Sequence, residues 1–238
     1  MSGGAGAAPE LVLRAGEAAG ATRPLPGLPG EGALLVIDVQ RSFAAPAELA
    51  ANGLTTEAIR RVADSIDAAG RAVDAARAAG MAVVWVELQQ RADAPWVASH
   101  WLRQRAVGEP GPCMAGTEGA EWYGLQPGPG EPRVAKRRYS GFIGTDLDAV
   151  LRSLGVTWVA ACGLTTECCV ESTARDAFQL DYPVVIPEDA CAAYRAEDHH
   201  RALELLALNF ALVTDVRSLE VALARAAAPV APGLATAR

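Results

Sequence analysis

The chain has 238 residues, 51% hydrophobic and 21% charged, with 23 Gly and 15 Pro. At about 150 residues per domain, this is a globular composition for one domain with extensions, which excludes collagen-like, repeat and low-complexity architectures. Its 21 Lys and Arg against 28 Asp and Glu give a net charge of −7, which opposes nucleic-acid binding, since that begins by neutralising phosphates; small molecules or proteins are the expected partners.

Residues 1–32 mix Ala, Gly and Pro without apolar periodicity, so they read as an extended arm. They lack the basic start and compact apolar block of a secretory signal, and a cytoplasmic protein is expected. The apolar runs 33–37, 156–161 and 184–186 fall far short of the roughly 20 residues that span a bilayer, so no membrane partner is expected either. Five cysteines, an odd number without a CxxC pair, read as thiols rather than a disulfide framework.

The folded domain is expected over 33–227, with a flexible tail over 228–238. Residues 33–37 form a continuous apolar run, the mark of a strand buried on both faces of a parallel sheet, with Asp38 at its carboxyl end. Thr55 or Thr56 caps a helix in which Ile59, Val62, Ile66, Val73 and Ala76 recur at helical spacing, Glu57/Arg61 and Asp67/Arg71 are i,i+4 pairs, and Gly80 is the stop. Residues 81–88 read as the second strand. The segment 89–132 is long, rich in Gly, Pro and Trp and weakly periodic, which marks a lid or a subunit contact. Residues 133–136 are a short third strand, and Thr145 caps a helix ending at Gly155.

Residues 156–162 form the fourth strand, 163–166 a turn, and 167–180 a helix with Glu171 and Arg175 paired. A strand at 183–187, a helix at 198–208, a strand at 210–214 and a helix at 219–226 complete the chain. The alternation predicts a three-layer α/β sandwich: a central, mainly parallel six-stranded sheet flanked by helices. Ligands in such sheets collect at the carboxyl ends of the strands.

Asp38, Lys136 and Cys169 all lie at or just past strand ends, where they can meet at one edge of the sheet. Cys169 at a helix start is near unpaired N–H groups and the positive end of the dipole, which favour a thiolate. The preceding turn would aim main-chain N–H groups at an oxyanion beside the sulfur. Taken singly, each residue has a plainer reading: a buried cysteine, a capping aspartate, a surface lysine.

Four blocks then carry a resemblance. They are Ala33-Leu34-Leu35-Val36-Ile37-Asp38-Val39-Gln40-Arg41-Ser42-Phe43, Lys136-Arg137-Arg138-Tyr139-Ser140-Gly141-Phe142, Thr145-Asp146-Leu147, and the run from Cys162 through Gly163-Leu164-Thr165-Thr166-Glu167-Cys168-Cys169 to Ala177. In order and spacing the chain resembles the isochorismatase-like cysteine hydrolases over about 33–223. The resemblance implies a dimer or tetramer and an Asp-Lys-Cys triad on Asp38, Lys136 and Cys169. It also implies a cis peptide at Leu164-Thr165 and an oxyanion hole from the amides of Thr165 and Cys169.

By the family mechanism Asp38 takes the thiol proton, Cys169 attacks a carbonyl carbon, and water later releases the thioester. Lys136 holds Asp38 and favours the negative charges. Family position puts Gln40 and Phe43 in the pocket, with a core role equally open to Phe43, and Tyr139 is a further pocket member. Trp85, Trp96, Trp101 and Trp122 are further pocket candidates, with core or interface as the default for each.

The nicotinamidase-like branch binds a metal through an Asp-x-His pair and another His. His100, His199 and His200 do not match that arrangement, so neither metal nor other cofactor is expected, and the adjacent His199 and His200 read as a solvated or interface face. The retained thiol favours C–N over vinyl-ether cleavage, and the blocks look most like the ureidoacrylate, biuret and N-carbamoylsarcosine amidohydrolase branch. The alternatives are an isochorismatase-type vinyl-ether hydrolase and a catalytically silent binding or assembly module. Glu167 and Cys168 depart from the Asn and apolar residue of many relatives.

Overall fold

A computed structural model describes residues 28, 30–107 and 109–227. Most of the arm expected over 1–32, and all of the tail expected over 228–238, lie outside the described residues. The elements in chain order are β1 (Gly32–Ile37), α1 (Arg41–Ala44), α2 (Pro46–Ala51), α3 (Thr56–Ala78), β2 (Ala82–Leu88), α4 (Val97–Leu102), β3 (Arg133–Lys136), α5 (Leu147–Ser153) and β4 (Trp158–Leu164). They continue with α6 (Glu171–Gln179), β5 (Val184–Pro187), β6 (Cys191–Ala192), α7 (Ala196–Asn209), β7 (Leu212–Thr214) and α8 (Val216–Ala227).

Six strands form one path in the order β3-β2-β1-β4-β5-β7, with every pairing parallel. The two-residue β6 is an addition to the six expected; it pairs with the end of β4, Gly163 opposite Cys191. Every residue of β1 and β4 is buried, the result of covering both faces of a parallel sheet. From β1 the chain moves outward through β2 to β3, and from β4 it moves the other way through β5 to β7. Right-handed crossovers therefore put α3 on one face and α6 and α7 on the other. The reversal falls between β1 and β4, where such sheets open a crevice.

Helix α3 follows its sequence closely. Thr55 Oγ1 accepts from the Ala58 amide at 3.2 Å, and Ala58, Val62, Ile66, Ala69, Val73 and Ala76 form the buried stripe. Arg61 pairs with Glu57 as expected, at 3.1 Å. Arg71 does not pair with Asp67: it reaches Asp189, beyond β5, at 3.6 Å. Both are exposed, and the longer reach costs little in high dielectric.

Other differences have local causes. Phe210 and Ala211, expected in a strand, end α7 by donating their amides to Leu206 O at 2.8 and 2.9 Å, so β7 begins at Leu212. Helices α1 and α2, of 4 and 6 residues, were not anticipated because they are too short to display a helical period. The same holds for α4, within the segment read as a lid. β3 sits at the sheet edge with alternating exposure, which turns Val134 and Lys136 inward together.

Candidate active site

β1 delivers Asp38 to the switch point in a left-handed conformation, φ 52. Non-glycine residues adopt this region rarely, and disproportionately at functional sites. β3 ends in Lys136. The turn after β4 is a single π-helical turn, Thr166–Val170, which carries Cys169. Lys136 Nζ donates to Asp38 Oδ2 at 2.7 Å, to Cys169 Sγ at 3.3 Å and to Arg138 O at 3.0 Å, which uses all three of its protons. Asp38 and Lys136 are fully buried and Cys169 is 5% exposed.

Burial pushes the Asp38 carboxyl above its ordinary value, and Lys136 offsets this only in part. For Lys136, burial works against the ammonium, but the Asp38 carboxylate and the Cys169 sulfur outweigh it and raise the group. The Cys169 thiol corrects the expectation of a lowered value. Hydrogen bonding with Cys168, burial and the adjacent Asp38 push it well above the usual value, against the pull of Lys136. A thiol raised in this way would need a base before it could act as a nucleophile. Asp38 Oδ1 is buried without a hydrogen-bond partner among the described residues and is an acceptor in reserve.

Cys169 forms part of the wall of a cavity of about 310 Å³, which Phe43, Tyr139 and Thr165 also line. The Leu164–Thr165 peptide is cis. Tyr139 Oη accepts from Arg103 at 2.8 Å, and its ring meets Trp96 edge-on with centroids 4.6 Å apart. Of the other tryptophans, Trp85 and Trp122 are buried in the core and Trp101 is exposed.

Gln40 is a correction. It is fully buried and does not line the cavity: its Nε2 donates to Leu88 O at 3.0 Å and Ala120 O at 2.7 Å, and its Oε1 accepts from the Leu88 amide at 2.8 Å. Just past a strand end, a side chain can face the crevice or brace its neighbours, and two backbone groups of Leu88 at the end of β2, with the Ala120 carbonyl beyond it, decide for bracing. Gln40→Ala is expected to strand those groups and cost about 2–3 kcal/mol of stability. Urea unfolding measures this, and a loss under about 0.5 kcal/mol would contradict the bracing role.

Of the adjacent histidines expected on a solvated or interface face, His200 is exposed and His199 is only half-buried. Its Nδ1 lies 2.8 Å from Thr166 Oγ1, so it braces the turn that carries Cys169. Burial, with His200 and Arg61 nearby, lowers its pKa from 6.5 to about 4. The fold therefore favours neutral His199: its contribution is complete above pH 6.5 and is lost as pH falls toward about 4. The urea midpoint should decline across that window, and the decline should flatten in His199→Gln. His100 is held between Trp96 O at 2.9 Å and Glu109 O at 3.2 Å. Among the described residues no group of three His, Cys, Asp or Glu is placed to hold a metal.

Trp96, a candidate whose default was core or interface, lines the cavity, as do Arg103, Arg105 and Tyr194, which sequence reasoning did not single out. The length of the segment 89–132 was the available signal, but without periodicity it does not say which residues face inward.

Sheet and cluster define a parallel α/β enzyme in which a carboxyl, an ammonium and a thiol meet at the switch point. Residues 32–218 match the isochorismatase domain. The chain belongs to the isochorismatase family and is a hydrolase. It is 35% identical over 210 residues to ureidoacrylate amidohydrolase RutB of Methylobacterium radiotolerans, covering 80% of this chain and 78% of the relative. It is 36% identical over 219 residues to the protein of the same name from Klebsiella pneumoniae, covering 84% and 89%. Among solved structures it resembles N-carbamoylsarcosine amidase from Thermoplasma acidophilum, with a TM-score of 0.62, 28% identity, and coverage of 78% of this chain and 96% of the other.

Proposed function

We propose that the chain is a metal-independent cysteine amidohydrolase that opens a C–N bond of a small ureido or amide compound through a thioester. The observation that carries this reading is the position of Lys136 Nζ, in contact with both Asp38 Oδ2 and Cys169 Sγ beneath the cavity. Asp38 takes the thiol proton as sulfur attacks the carbonyl carbon, and the positive charge of Lys136 stabilises the thiolate formed. The amides of Thr165 and Cys169 donate to the oxyanion. As the intermediate collapses, Asp38 returns the proton to the departing nitrogen and the C–N bond breaks. Water then attacks the thioester, giving its proton to Asp38; the C–S bond breaks, and the sulfur recovers the proton.

A neutral thiol beside a carboxyl with a raised pKa suits this cycle, because Asp38 can both accept and return a proton. The names of the relatives point to ureido acids, and the guanidinium groups of Arg103 and Arg105 on the cavity wall suit a substrate carboxylate. The test is ammonia release by the purified chain across a panel of small ureido acids and primary amides, with acid-quenched intact mass to trap the acyl adduct. Release from at least one compound, with an adduct on Cys169, is the expected result. No release from any of them would sink the reading.

A further inference from the structure

Glu167 lies two residues before Cys169, on the same π-helical turn, and lines the same cavity. Its Oε1 accepts from the Thr165 hydroxyl at 3.0 Å, which fixes the direction of the carboxylate. The charged groups that bear on it, Asp198 and Glu171, are both acidic, so it has repulsion where a structural carboxylate would have a cation. Burial first, and then those two carboxylates, raise its pKa and make the ionised form a stronger hydrogen-bond acceptor. Glu167 as a whole is exposed, and beyond the Thr165 hydroxyl and its own amide its carboxylate keeps acceptor sites open to a donor on a ligand in the cavity.

The wall also contains cations, Arg103 and Arg105, so one cavity offers donors and an acceptor to the same molecule. Beside a nucleophile that attacks a carbonyl carbon, the donors within reach are N–H groups on that carbon. We propose that Glu167 is a specificity-determining residue whose carboxylate accepts a hydrogen bond from the terminal –NH2 of a carbamoyl group, selecting carbamoyl substrates over isosteric carbonyl compounds without that donor. The assignment rests on the amidohydrolase reading above. It gives Glu167 a binding role and leaves proton transfer to Asp38.

The experiment compares an N-carbamoyl amino acid, used as substrate, with its N-methoxycarbonyl analogue, used as competitive inhibitor; the second replaces –NH2 by –OCH3. In Glu167→Ala, KM for the carbamoyl compound should rise about tenfold or more, with kcat changed less than about threefold and Ki for the analogue unchanged. Glu167→Gln, whose side-chain carbonyl still accepts, should recover part of the loss. An unchanged KM, or equal shifts in KM and Ki, would overturn the assignment while leaving the amidohydrolase reading intact. A wild-type chain that hydrolyses primary amides but no carbamoyl compound would also overturn the assignment alone, and one that hydrolyses neither would overturn both.

Discussion

Cys169→Ala is expected to abolish ammonia release, with kcat falling by about 10⁴-fold or more while the fold is retained. The substitution removes one sulfur from the cavity wall and leaves the Asp38 and Lys136 pair intact at 2.7 Å, so little stability is at stake. Asp38→Asn should lower kcat to a similar degree for another reason. Asn keeps the shape and an oxygen for Lys136 to donate to, but it can neither take the thiol proton nor return it to the departing nitrogen. It also leaves the buried Lys136 charge without a counter-charge, a loss of about 3–5 kcal/mol that deprotonation of the lysine would reduce. Because the two groups act in one step, the double variant should be no slower than the worse single one. Steady-state ammonia release with a urea midpoint for each variant makes the comparison. A Cys169→Ala protein that keeps a tenth of wild-type turnover would end the case for a thioester.

Gly163→Ala is expected to have the largest effect on folding, about 4 kcal/mol or more, and to yield little soluble protein. Gly163 has φ 119, a region closed to residues with a side chain, and a Cβ placed there would lie 2.0 Å from Ile37 O. Ile37 is its register partner on β1 and the residue immediately before Asp38. The absent side chain therefore lets β1 and β4 close together at the point where one strand presents the carboxyl and the other leads into the nucleophile turn. If the variant folds, the strands must part there, and kcat should fall even where the urea midpoint survives. A variant with wild-type midpoint and kcat would show that the close approach is dispensable. Gly155, ahead of the opposite end of β4, at φ 69 with open space around it, is a useful control: Ala there should cost only about 1 kcal/mol.

Much of this architecture was legible in the sequence because buried parallel strands and long amphipathic helices impose strong patterns. The unbroken apolar runs of β1 and β4, and the stripe of α3 with its Thr55 cap, needed no tertiary information. The site was legible to the extent that it depends on strand ends, which put Asp38 and Lys136 at the crevice. What the sequence did not reveal was decided by partners distant along the chain. Leu88 and Ala120 claim Gln40, Asp189 claims Arg71, and Thr166 claims His199. The state of the Cys169 thiol was misjudged for two reasons: the hydrogen bond with the adjacent Cys168 opposes the helix start, and burial beside Asp38 depends on distant chain.

The reactive groups hang on strands whose register is fixed, but much of the chamber above them comes from one stretch between β2 and β3. That stretch is tied to the rest of the fold by hydrogen bonds rather than by strand pairing, among them the Cys113 amide on Ser42 Oγ at 3.0 Å and the Tyr123 amide on Val39 O at 2.9 Å. Reagent and mould are thus separate parts. Exchanges at Trp96, Arg103 or Arg105 can reshape what the chamber admits without disturbing the strands below, so a laboratory selection for new substrates has its natural library there, with the sheet kept constant.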